Sequence, residues 1–437
     1  MDWLQTLLIG LGILLFLFVL GVPVFVAFLI TNLLGAVHFF GGRGFSIFTN
    51  SIYDTLATSS LATIALFILM GEVLFRSGAT EAVFKSTDTL IGRVKGRDFV
   101  LSSALGTIFG ALSGAAMGVV AMLGRSLLPQ MLDRGCDRRM SIGAILGGAN
   151  LAPIIPPSVL IIIIGMLANI SISRFLVAGI IPGLLIAGLL LLYTSVRIWL
   201  RPEMAGHAAG QAPEKDYTWT DRLVAVGRLL PFSIIIFFVM GFILLGIATP
   251  SESAASGVVG SLLAAAWYRK LSWRMVKESL ESAAVVSAII LIIMASSKLF
   301  SQLLSLSGAT SAIGQLAVAT PLDPMLMLFI MMLIPFLFCM FLDQIAISIV
   351  IIPIYTPVIA ALGFDPMWFY VMFLINVTIG GFSPPFGYVL FAFKAAAPQL
   401  SVTDLYSAAW PVVGIFILAM ILIAVFPPLA TWLPSLI

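Results

Sequence analysis

The sequence predicts an all-α membrane protein that crosses the bilayer many times. Three observations lead to this prediction: 61% of the 437 residues are hydrophobic, only 9% are charged, and the mean hydropathy is +1.16. Soluble domains carry about 25% charged and 45–50% apolar residues, so a soluble enzyme is excluded. The net charge of +3, from 22 basic and 19 acidic residues, excludes a nucleic-acid binder. Two cysteines and two histidines are too few for a disulfide framework or a zinc cluster.

Ten segments are apolar and long enough to be full spans, since a spanning helix needs about 20 apolar residues. Two further apolar runs, 99–131 and 325–357, require a separate explanation. The polar stretch 197–228 joins two halves of the chain and is too short to be a domain. No basic n-region or cleavage site follows Met1, so no signal peptide is expected. The ten spans are 3–20, 23–40, 58–76, 140–167, 175–197, 229–248, 252–268, 283–305, 367–393 and 408–428.

The basic residues predict which ends of the spans face the cytoplasm. With ten spans and the N-terminus outside, 19 of the 22 Lys and Arg residues fall on cytoplasmic loops. Only Arg43 and Arg174 fall outside, and Lys298 lies within a span. The opposite orientation would leave those 19 residues outside, so we expect both termini outside.

The two remaining apolar runs predict re-entrant hairpins, one from each face. Basic residues flank the run 99–131 on both sides, so both of its ends favour the cytoplasm. No Lys or Arg lies between Lys298 and Lys394, so both ends of 325–357 favour the outside. The alternative is that each run is an ordinary span, which would make twelve spans. The expected turns are Ser113-Gly114 and Asp343-Gln344.

An internal repeat relates the two halves of the chain. Ser-Gly-Ala-Thr occurs at 77–80 and again at 307–310, and an offset of 228 aligns five further landmarks. Five predicted spans separate the copies, so the second is inverted relative to the first, as in secondary transporters. The aligned landmarks are Pro129 with Pro357, Gly135 with Gly363, Asp137 with Asp365, and Pro156-Pro157 with Pro384-Pro385.

The repeat and the polar linker divide the chain into four parts. Two parts are repeats, each with a hairpin and a broken span, and the other two are expected to form a scaffold. The parts are 1–58, the N-terminal scaffold helices; 59–197, the first repeat with hairpin 99–131 and broken span 140–167; 198–282, the cytoplasmic linker and scaffold helices; and 283–437, the second repeat with hairpin 325–357 and broken span 367–393.

The broken spans are the expected place for ion binding. Three prolines within 153–157, and Gly-Gly then Pro-Pro within 380–385, should unwind the helices because proline removes a backbone hydrogen bond. Freed carbonyls, hydroxyls and amides suit a hard cation. Proline kinks with packing glycines are the alternative. We predict two sodium-type sites, one between Ser113-Gly114 and 148–150, the other between Asp343 and 378–383.

Charged residues within the membrane are energetically expensive and indicate function. Asp343 has no basic neighbour in sequence, so cation binding is favoured over a structural role. Glu72 precedes Arg76 by four residues, which predicts an ion pair. Lys298 snorkels, pairs with a carboxylate or contacts an anionic substrate. The other substrate candidates are Pro156, Ser158 and Pro384.

Seven short motifs, spread over the chain, are specific only in combination. They are Gly-Ala-Leu-Ser-Gly at 110–114, Arg-Gly-Cys-Asp at 134–137, Ile-Pro-Pro-Ser at 155–158, Thr-Pro-Ser-Glu at 249–252, Leu-Asp at 342–343, Gly-Phe-Asp-Pro at 363–366 and Ser-Pro-Pro-Phe-Gly at 383–387. Together they resemble the large membrane subunit of TRAP transporters (tripartite ATP-independent periplasmic transporters). The resemblance covers essentially the whole chain.

The resemblance implies an elevator-type, sodium-driven importer of the ion-transporter superfamily in the bacterial inner membrane, with both termini in the periplasm. It implies about ten spans plus two re-entrant hairpins in inverted repeats. The implied partners are a small four-helix membrane subunit and a periplasmic substrate-binding protein. The implied substrates are small carboxylates, such as dicarboxylates, sugar acids or ectoine. No P-loop motif occurs, so no ATP step is expected.

The resemblance also assigns ligands to two sodium sites. The first site departs from the family pattern, because 115–118 reads Ala-Ala-Met-Gly where small hydroxyl residues are usual. The assigned ligands are Ser113, Gly114, Gly148 and Asn150 for the first site, and Asp343, Thr378, Gly380 and Ser383 for the second.

Other functions remain as alternatives. One alternative is a stand-alone sodium/dicarboxylate symporter of the same superfamily, and another is a channel. A remote alternative is an intramembrane enzyme or a structural membrane subunit, but no catalytic motif supports an enzyme.

Overall fold

The computed structural model describes residues 3–58, 61–92, 94–114, 116–206 and 217–437, without the side chains of Thr6, Thr80, Leu112 and Ser113, and this part of the chain is helical with no strand. Up to the linker, the helices are α1 (Trp3–Val19), α2 (Val24–Phe40), α3 (Arg43–Leu56), α4 (Leu61–Arg76), α5 (Ala79–Ile91), α6 (Arg97–Ser113), α7 (Ala116–Ser126), α8 (Leu128–Asp133), α9 (Arg138–Ala149), α10 (Val159–Leu167), α11 (Ile172–Ala178) and α12 (Ile180–Leu200).

After the linker, the helices are α13 (Trp219–Leu244), α14 (Pro250–Trp267), α15 (Trp273–Leu306), α16 (Ala309–Ala319), α17 (Pro324–Cys339), α18 (Gln344–Ala361), α19 (Pro366–Phe382), α20 (Tyr388–Ala396), α21 (Val402–Val425) and α22 (Pro428–Thr431).

Five segments of the described chain are long and apolar enough to cross a membrane, or six if α3 and α4 count as one bent span. The ten predicted spans do not all become long helices. Some are shorter apolar helices, such as α1 and α2, and each broken span is divided into two short helices. The count of ten therefore stays a prediction. The five segments are Ile172–Leu200, Trp219–Leu244, Trp273–Leu306, Gln344–Ala361 and Val402–Val425.

Three short helices were not expected from the sequence. They are α3, α5 and α16, with 14, 13 and 11 residues. Each is shorter than the roughly 20 apolar residues of a spanning helix, so a search for spans misses it.

The two halves share backbone geometry at the positions that the offset of 228 aligns. Gly135 and Gly363 both have a left-handed backbone, with φ of +79° and +71°. Two residues later, Asp137 and Asp365 cap α9 and α19. Each carboxylate accepts a hydrogen bond from the backbone N–H three residues later in the chain, at 2.9 Å for Asp137 and 2.8 Å for Asp365. The peptide bonds of the two Pro-Pro pairs are both cis. The repeat is therefore present in the local fold as well as in the sequence.

The direction of α9 can be read from its contacts with α21. Near the start of α9, Arg138 pairs with Asp404 at 3.3 Å. Five residues further along α9, Gly143 lies against the backbone of Ala408. Residue numbers rise together along this contact, so α9 and α21 are parallel.

The repeat-related helix α19 packs on the same α21 in the opposite direction. Its C-terminal Phe382 makes an edge-to-face contact with Phe416, with ring centroids 5.2 Å apart. Its N-terminal Trp368 donates through Nε1 to the carbonyl oxygen of Ile423 at 2.8 Å. Residue numbers fall along α21 as they rise along α19. The two equivalent helices α9 and α19 therefore run in opposite directions, as an inverted repeat requires.

Helices α6 and α7 form the first hairpin. The turn passes through Gly114, whose φ is +62°, and the start of α6 meets the segment of α8 that follows α7. Ser102 donates to the sulfur of Met131 at 3.2 Å, and Asp98 pairs with Arg134 at 2.5 Å. The depth of this hairpin in a membrane stays a prediction.

Helices α17 and α18 form the second hairpin, with residues 340–343 between them. The first arm, α17, runs parallel to α19. Asn376 Nδ2 donates to the carbonyl oxygen of Met332 at 2.8 Å, and Gly380 lies beside Cys339.

The second arm, α18, runs antiparallel to α19. It begins at Gln344, whose amide lies beside Gly381 near the end of α19. Twelve residues later, the hydroxyl of Thr356 lies 2.7 Å from that of Tyr370 near the start of α19. The two arms of this hairpin therefore point in opposite directions, with 340–343 at the tip.

Each half-helix beyond a break packs on the hairpin of the other repeat. Helix α20 lies along α7, where a Cβ on Gly124 would be 2.8 Å from the Phe393 ring. Helix α10 packs along α18 in the other half. The offset of 228 converts α7 into α18 and α10 into α20, so the two contacts are equivalent. The repeats are therefore interlocked.

A second group of helices packs around α4. Helices α14 and α15 both lie on it, and the hydroxyls of Thr63 and Ser251 are 2.5 Å apart. Arg76 pairs with Glu72 at 3.2 Å and with Glu278 at 3.1 Å. The predicted pair between Glu72 and Arg76 is therefore confirmed, and it extends to α15.

Candidate functional site

Residues 150–158 separate α9 from α10 and form the first break. Ser158 Oγ donates to the carbonyl oxygen of Pro153 at 2.6 Å and accepts from Ile161 N at 3.3 Å. The side chain is fully buried. Ser158 is therefore the N-cap of α10, because its hydroxyl satisfies groups of its own segment. Pro156 is buried in the same break. Substrate contact by either residue stays a prediction.

The structure does not bring Gly148 to the hairpin tip, as the first predicted site requires. A Cβ on Gly148 would lie 2.6 Å from the carbonyl oxygen of Ser103, whereas Gly114 lies beside Pro157 and Val159. Ser103 and Gly114 are 11 positions apart, which is about 16 Å along a helix. Gly148 is instead a packing glycine that allows α6 and α9 to approach closely. The residues at the first tip are those of 157–159.

Asn150, at the end of α9, has an unsatisfied oxygen. Its Nδ2 donates to the carbonyl oxygen of Leu146 at 2.8 Å. Its Oδ1 is buried without a hydrogen-bond partner among the described residues. Leaving a buried acceptor unpaired costs about 1–3 kcal/mol, so this oxygen fits an oxygen-preferring cation. The side chain of Ser113, the remaining predicted ligand, lies outside the described part of the chain.

Asp343 occupies the tip of the second hairpin. Its Oδ1 accepts hydrogen bonds from Ile345 N at 2.8 Å and Ala346 N at 3.4 Å, so it caps α18. The residue is exposed. Both of these hydrogen bonds use Oδ1, so Oδ2 remains available to another ligand. The carboxylate can therefore cap the helix and offer an oxygen to a cation.

The second tip and the second break meet closely. A Cβ on Gly381 would lie 2.8 Å from Gln344 Nε2 and 2.9 Å from the Tyr388 ring. A Cβ on Gly380 would lie 2.3 Å from that of Cys339. Only glycine fits at such distances, so the two glycines bring α17, α18 and α20 together around the end of α19.

The hydroxyl ligands predicted for this site are buried at the end of α19. Thr378 Oγ1 donates to the carbonyl oxygen of Leu374, and Ser383 Oγ donates to that of Ile379, both at 2.7 Å. Each hydroxyl keeps lone pairs that can accept or coordinate. The C-terminal end of a helix carries a partial negative charge, which favours a cation there. Thr378, Gly380 and Ser383 therefore lie where a cation would be stabilised.

Three polar residues near this site were not singled out as ligands from the sequence. Tyr388 begins α20 and Gln344 begins α18, and both lie beside Gly381. Asn376 Oδ1 is buried without a hydrogen-bond partner among the described residues. Tyr388 directly follows the break and Gln344 directly follows the tip, so a polar side chain at such a position was the sequence signal that could have identified these two residues. In the described part of the chain, no three His, Cys, Asp or Glu side chains form a metal-binding group.

Lys298 and Pro384, the last two substrate candidates, lie in different places. Pro384 is buried in the second break. Lys298 is exposed and lines a cavity of about 530 Å³ between α3, α4, α10, α11, α15 and α18. On α18 the cavity reaches Pro353, ten positions or about 15 Å from the tip at Asp343. Polar residues on three sides of this cavity are Thr55, Thr58, Asn169, Ser301, Gln302 and Ser305.

Comparison with known proteins gives a consistent result. Residues 11–429 match the model of the family described as "Tripartite ATP-independent periplasmic transporter, DctM component". The ectoine TRAP transporter large permease protein TeaC of Halomonas elongata is 29% identical over 426 residues, 96% of this chain and 97% of TeaC. The C4-dicarboxylate TRAP transporter large permease protein DctM of Rhodobacter capsulatus is 27% identical over 88% of this chain and 89% of that protein.

The fold resembles that of a solved transporter. The crystal structure of the YdaH transporter of Alcanivorax borkumensis covers 89% of this chain, with 90% of YdaH matched, a TM-score of 0.56 and 14% sequence identity. At this identity the likeness concerns the fold alone.

Proposed function

Because the chain belongs to the DctM component family of tripartite ATP-independent periplasmic transporters, and is a transporter subunit and not an enzyme, we propose that it imports small organic acids by coupling to sodium. The observation that carries the proposal is the junction of the second tip with the second break. There Gln344, which follows Asp343, lies against Gly381, between the buried hydroxyls of Thr378 and Ser383 at the C-terminal end of α19.

The residues present fit a sodium ion at two places. Asp343, Thr378, Gly380 and Ser383 would hold it at the second site. At the first, Asn150 Oδ1 is the buried oxygen in need of a partner, with the 113–114 backbone as the tip. A bound sodium ion would supply positive charge beside the carboxylate of Asp343 and the partly negative C-terminal end of α19.

The cavity at Lys298 supports the proposal of a carboxylate substrate. It lies where α3, α4 and α15 face α10 and α18, which are the interlocked elements of the two repeats. A lysine among hydroxyl and amide groups attracts a carboxylate and orients it by hydrogen bonds. We propose that the interlocked unit moves against the α4, α14 and α15 group, as in an elevator, and that the substrate travels with it.

The relatives named above are large permease proteins for ectoine and for C4-dicarboxylates, and both compounds contain carboxylate groups. We propose the same class of substrate here. We also propose a small four-helix membrane subunit and a periplasmic substrate-binding protein as partners, and the bacterial inner membrane as the location, with both termini in the periplasm.

The test is uptake into proteoliposomes that contain the chain with its partner subunit and binding protein. An inward sodium gradient should drive accumulation of a labelled C4-dicarboxylate or ectoine. Asp343→Asn should lower the initial rate at least about tenfold, since a cation site loses its charge. Asn still caps a helix, so α18 should remain intact.

Asp323→Asn is the matched control. Asp323 caps α17 in the same hairpin by accepting from Met325 N at 2.8 Å, but it lies at the far end of that arm. This variant should keep sodium-driven uptake. Accumulation without sodium, or equal rates for both variants, would refute the coupling. Uptake by the chain without its partners would favour the stand-alone symporter.

A further inference from the structure

A small cavity lies between α6, α9, α12 and α21, away from both tips. Its volume is about 130 Å³. Its α6 wall is at Ser103, about 16 Å along the helix from Gly114. The polar residues that line it are Ser103, Arg139, Tyr193, Thr194, Arg197 and Ser407. The transport proposal uses none of these residues.

The arginines of this cavity have no carboxylate partner in the described part of the chain. Arg197 lies 6.0 Å from the centroid of the Tyr193 ring, and its Nε is buried without a hydrogen-bond partner among the described residues. Arg139 forms no ion pair there either, although the adjacent Arg138 pairs with Asp404. The hydroxyl of Tyr193 is likewise free of hydrogen bonds to described residues.

The nearby carboxylates are already in use. Asp404, which precedes the predicted span 408–428, pairs with Arg138, and a hydrogen bond from Ser401 together with that arginine lowers its pKa. Asp137 caps α9 through Met140 N at 2.9 Å. Neither carboxylate forms an ion pair with Arg139 or Arg197.

The position of Arg139 on α9 also indicates an anion. It is the second residue of that helix, where the partial positive charge of the N-terminus disfavours a cation. An anion placed between Arg139 and Arg197 would be stabilised by both side chains and by the helix end. The guanidinium group donates two parallel hydrogen bonds to a phosphate, which suits such a ligand.

Part of the apolar wall of the cavity belongs to two segments that are long and apolar enough to span a membrane. Leu190 of α12 and Val412 of α21 line the cavity. The arginines lie at the ends that the basic residues predict to be cytoplasmic. Basic pockets between membrane helices on that side bind phospholipid headgroups.

We propose that this cavity binds the phosphate of an anionic phospholipid, with the acyl chains along α12 and α21. The lipid connects the start of α9 to α12 and α21, and Arg139, Arg197 and Tyr193 recognise the phosphate. Free phosphate shares the same chemistry, but the apolar lining of the cavity favours a lipid.

The test uses the full-length chain, purified in detergent and stripped of lipid, so it does not depend on transport. Cardiolipin, phosphatidylglycerol, phosphatidylcholine and inorganic phosphate are titrated separately while the thermal unfolding midpoint is measured. The two anionic lipids should raise the midpoint by several degrees, and phosphatidylcholine should raise it less. In R139Q/R197Q the apparent affinity for the anionic lipids should fall at least about tenfold.

Arg125→Gln is the matched control. It removes one positive charge from the same predicted face, and Arg125 does not line the cavity. It should bind anionic lipid as the unaltered chain does. Tyr193→Phe removes a single hydroxyl and should weaken binding about threefold, which keeps the test decisive if the double variant folds poorly. Equal lipid responses in all variants would overturn the site. An equal increase of the unfolding midpoint with inorganic phosphate would show that the site binds free phosphate and not a phospholipid.

Discussion

The two hairpin tips occupy equivalent positions in the repeat but differ in chemistry. At the second tip, Gln344, which follows Asp343, lies with Tyr388 against Gly381 of the break. The offset of 228 places Ala115, Ala116 and Leu160 at the equivalent positions of the first repeat. In the first repeat the unpaired buried oxygen is that of Asn150, at the end of α9. The repeat therefore duplicates the backbone, while the charge needed for a strong ion site is present only once.

The largest expected effect would break the close fit at the second tip. In Gly380→Ala the new methyl group would stand 2.3 Å from Cys339 Cβ, so the tip must move away from the break. We expect at least about a 100-fold loss of sodium-driven uptake and a lower midpoint of thermal unfolding, since overpacking costs about 1–3 kcal/mol.

Gly414→Ala is the control for that substitution. Gly414 lies in α21, and no atom stands within 4 Å of the place that an added Cβ would occupy. The substitution should therefore leave uptake unchanged and slightly stabilise the helix. Equal losses in both variants would show that the close fit at Gly380 has no special role.

A smaller effect is expected at Asn150, at the end of α9. In Asn150→Leu the unpaired Oδ1 is removed. If that oxygen holds an ion, the concentration of sodium that half-stabilises the protein against heat should rise about tenfold. If it holds nothing, the variant should be neutral or more stable, because an unsatisfied buried oxygen has been lost. Midpoints measured in sodium and potassium chloride distinguish these outcomes.

A milder effect is expected at the cavity that Lys298 lines. Lys298→Met should raise the substrate concentration for half-maximal uptake about three- to tenfold, because one charge-assisted hydrogen bond is lost. The sodium dependence should not change, since the cavity is about 15 Å from Asp343. Lys298→Arg should keep most of the affinity. A change in sodium dependence without a change in substrate affinity would place Lys298 in an ion site.

The smallest effect concerns how the two broken helices attach to α21. Helix α19 attaches through the buried Trp368, whereas α9 attaches through the pair of Arg138 and Asp404. The Ser401 hydrogen bond and Arg138 lower the pKa of Asp404, so this pair stabilises the fold at neutral pH and is lost as the pH falls through that lowered pKa.

Asp404→Asn should therefore lower the midpoint of thermal unfolding slightly at pH 7, by less than about 1 kcal/mol in stability, as for other exposed pairs. Below that lowered pKa, the two proteins should unfold alike. A difference that persists in acid would indicate a role for Asp404 that does not depend on its charge.

Part of this organisation follows from single residues in the sequence. Gly135 and Gly363 marked the repeat because a left-handed turn needs glycine, and Asp137 and Asp365 marked the helix starts because they are caps. The prolines marked the breaks, since an interrupted helix follows from the local chain alone.

Other features depend on contacts that spacing does not reveal. Gly148 is close to Asn150 in sequence but packs on Ser103, because α6 and α9 are parallel and their register is a tertiary property. Gln344 and Tyr388 belong to α18 and α20, which α19 separates in the sequence, so only the folded structure shows that they lie together. Residues at a tip and a break can be identified from the sequence, but their pairing cannot.

The exchanged packing of the half-helices has a consequence for ancestry. Helix α20 is supported by α7, and α10 by α18, so half of this chain alone would lack a partner for one half-helix and one hairpin arm. Two copies of such a half, placed antiparallel, would satisfy each other. This is the arrangement expected after fusion of a duplicated gene whose shorter product worked as an antiparallel pair. A fused chain can also carry a carboxylate at one tip alone, as it does here with Asp343 opposite Ala115.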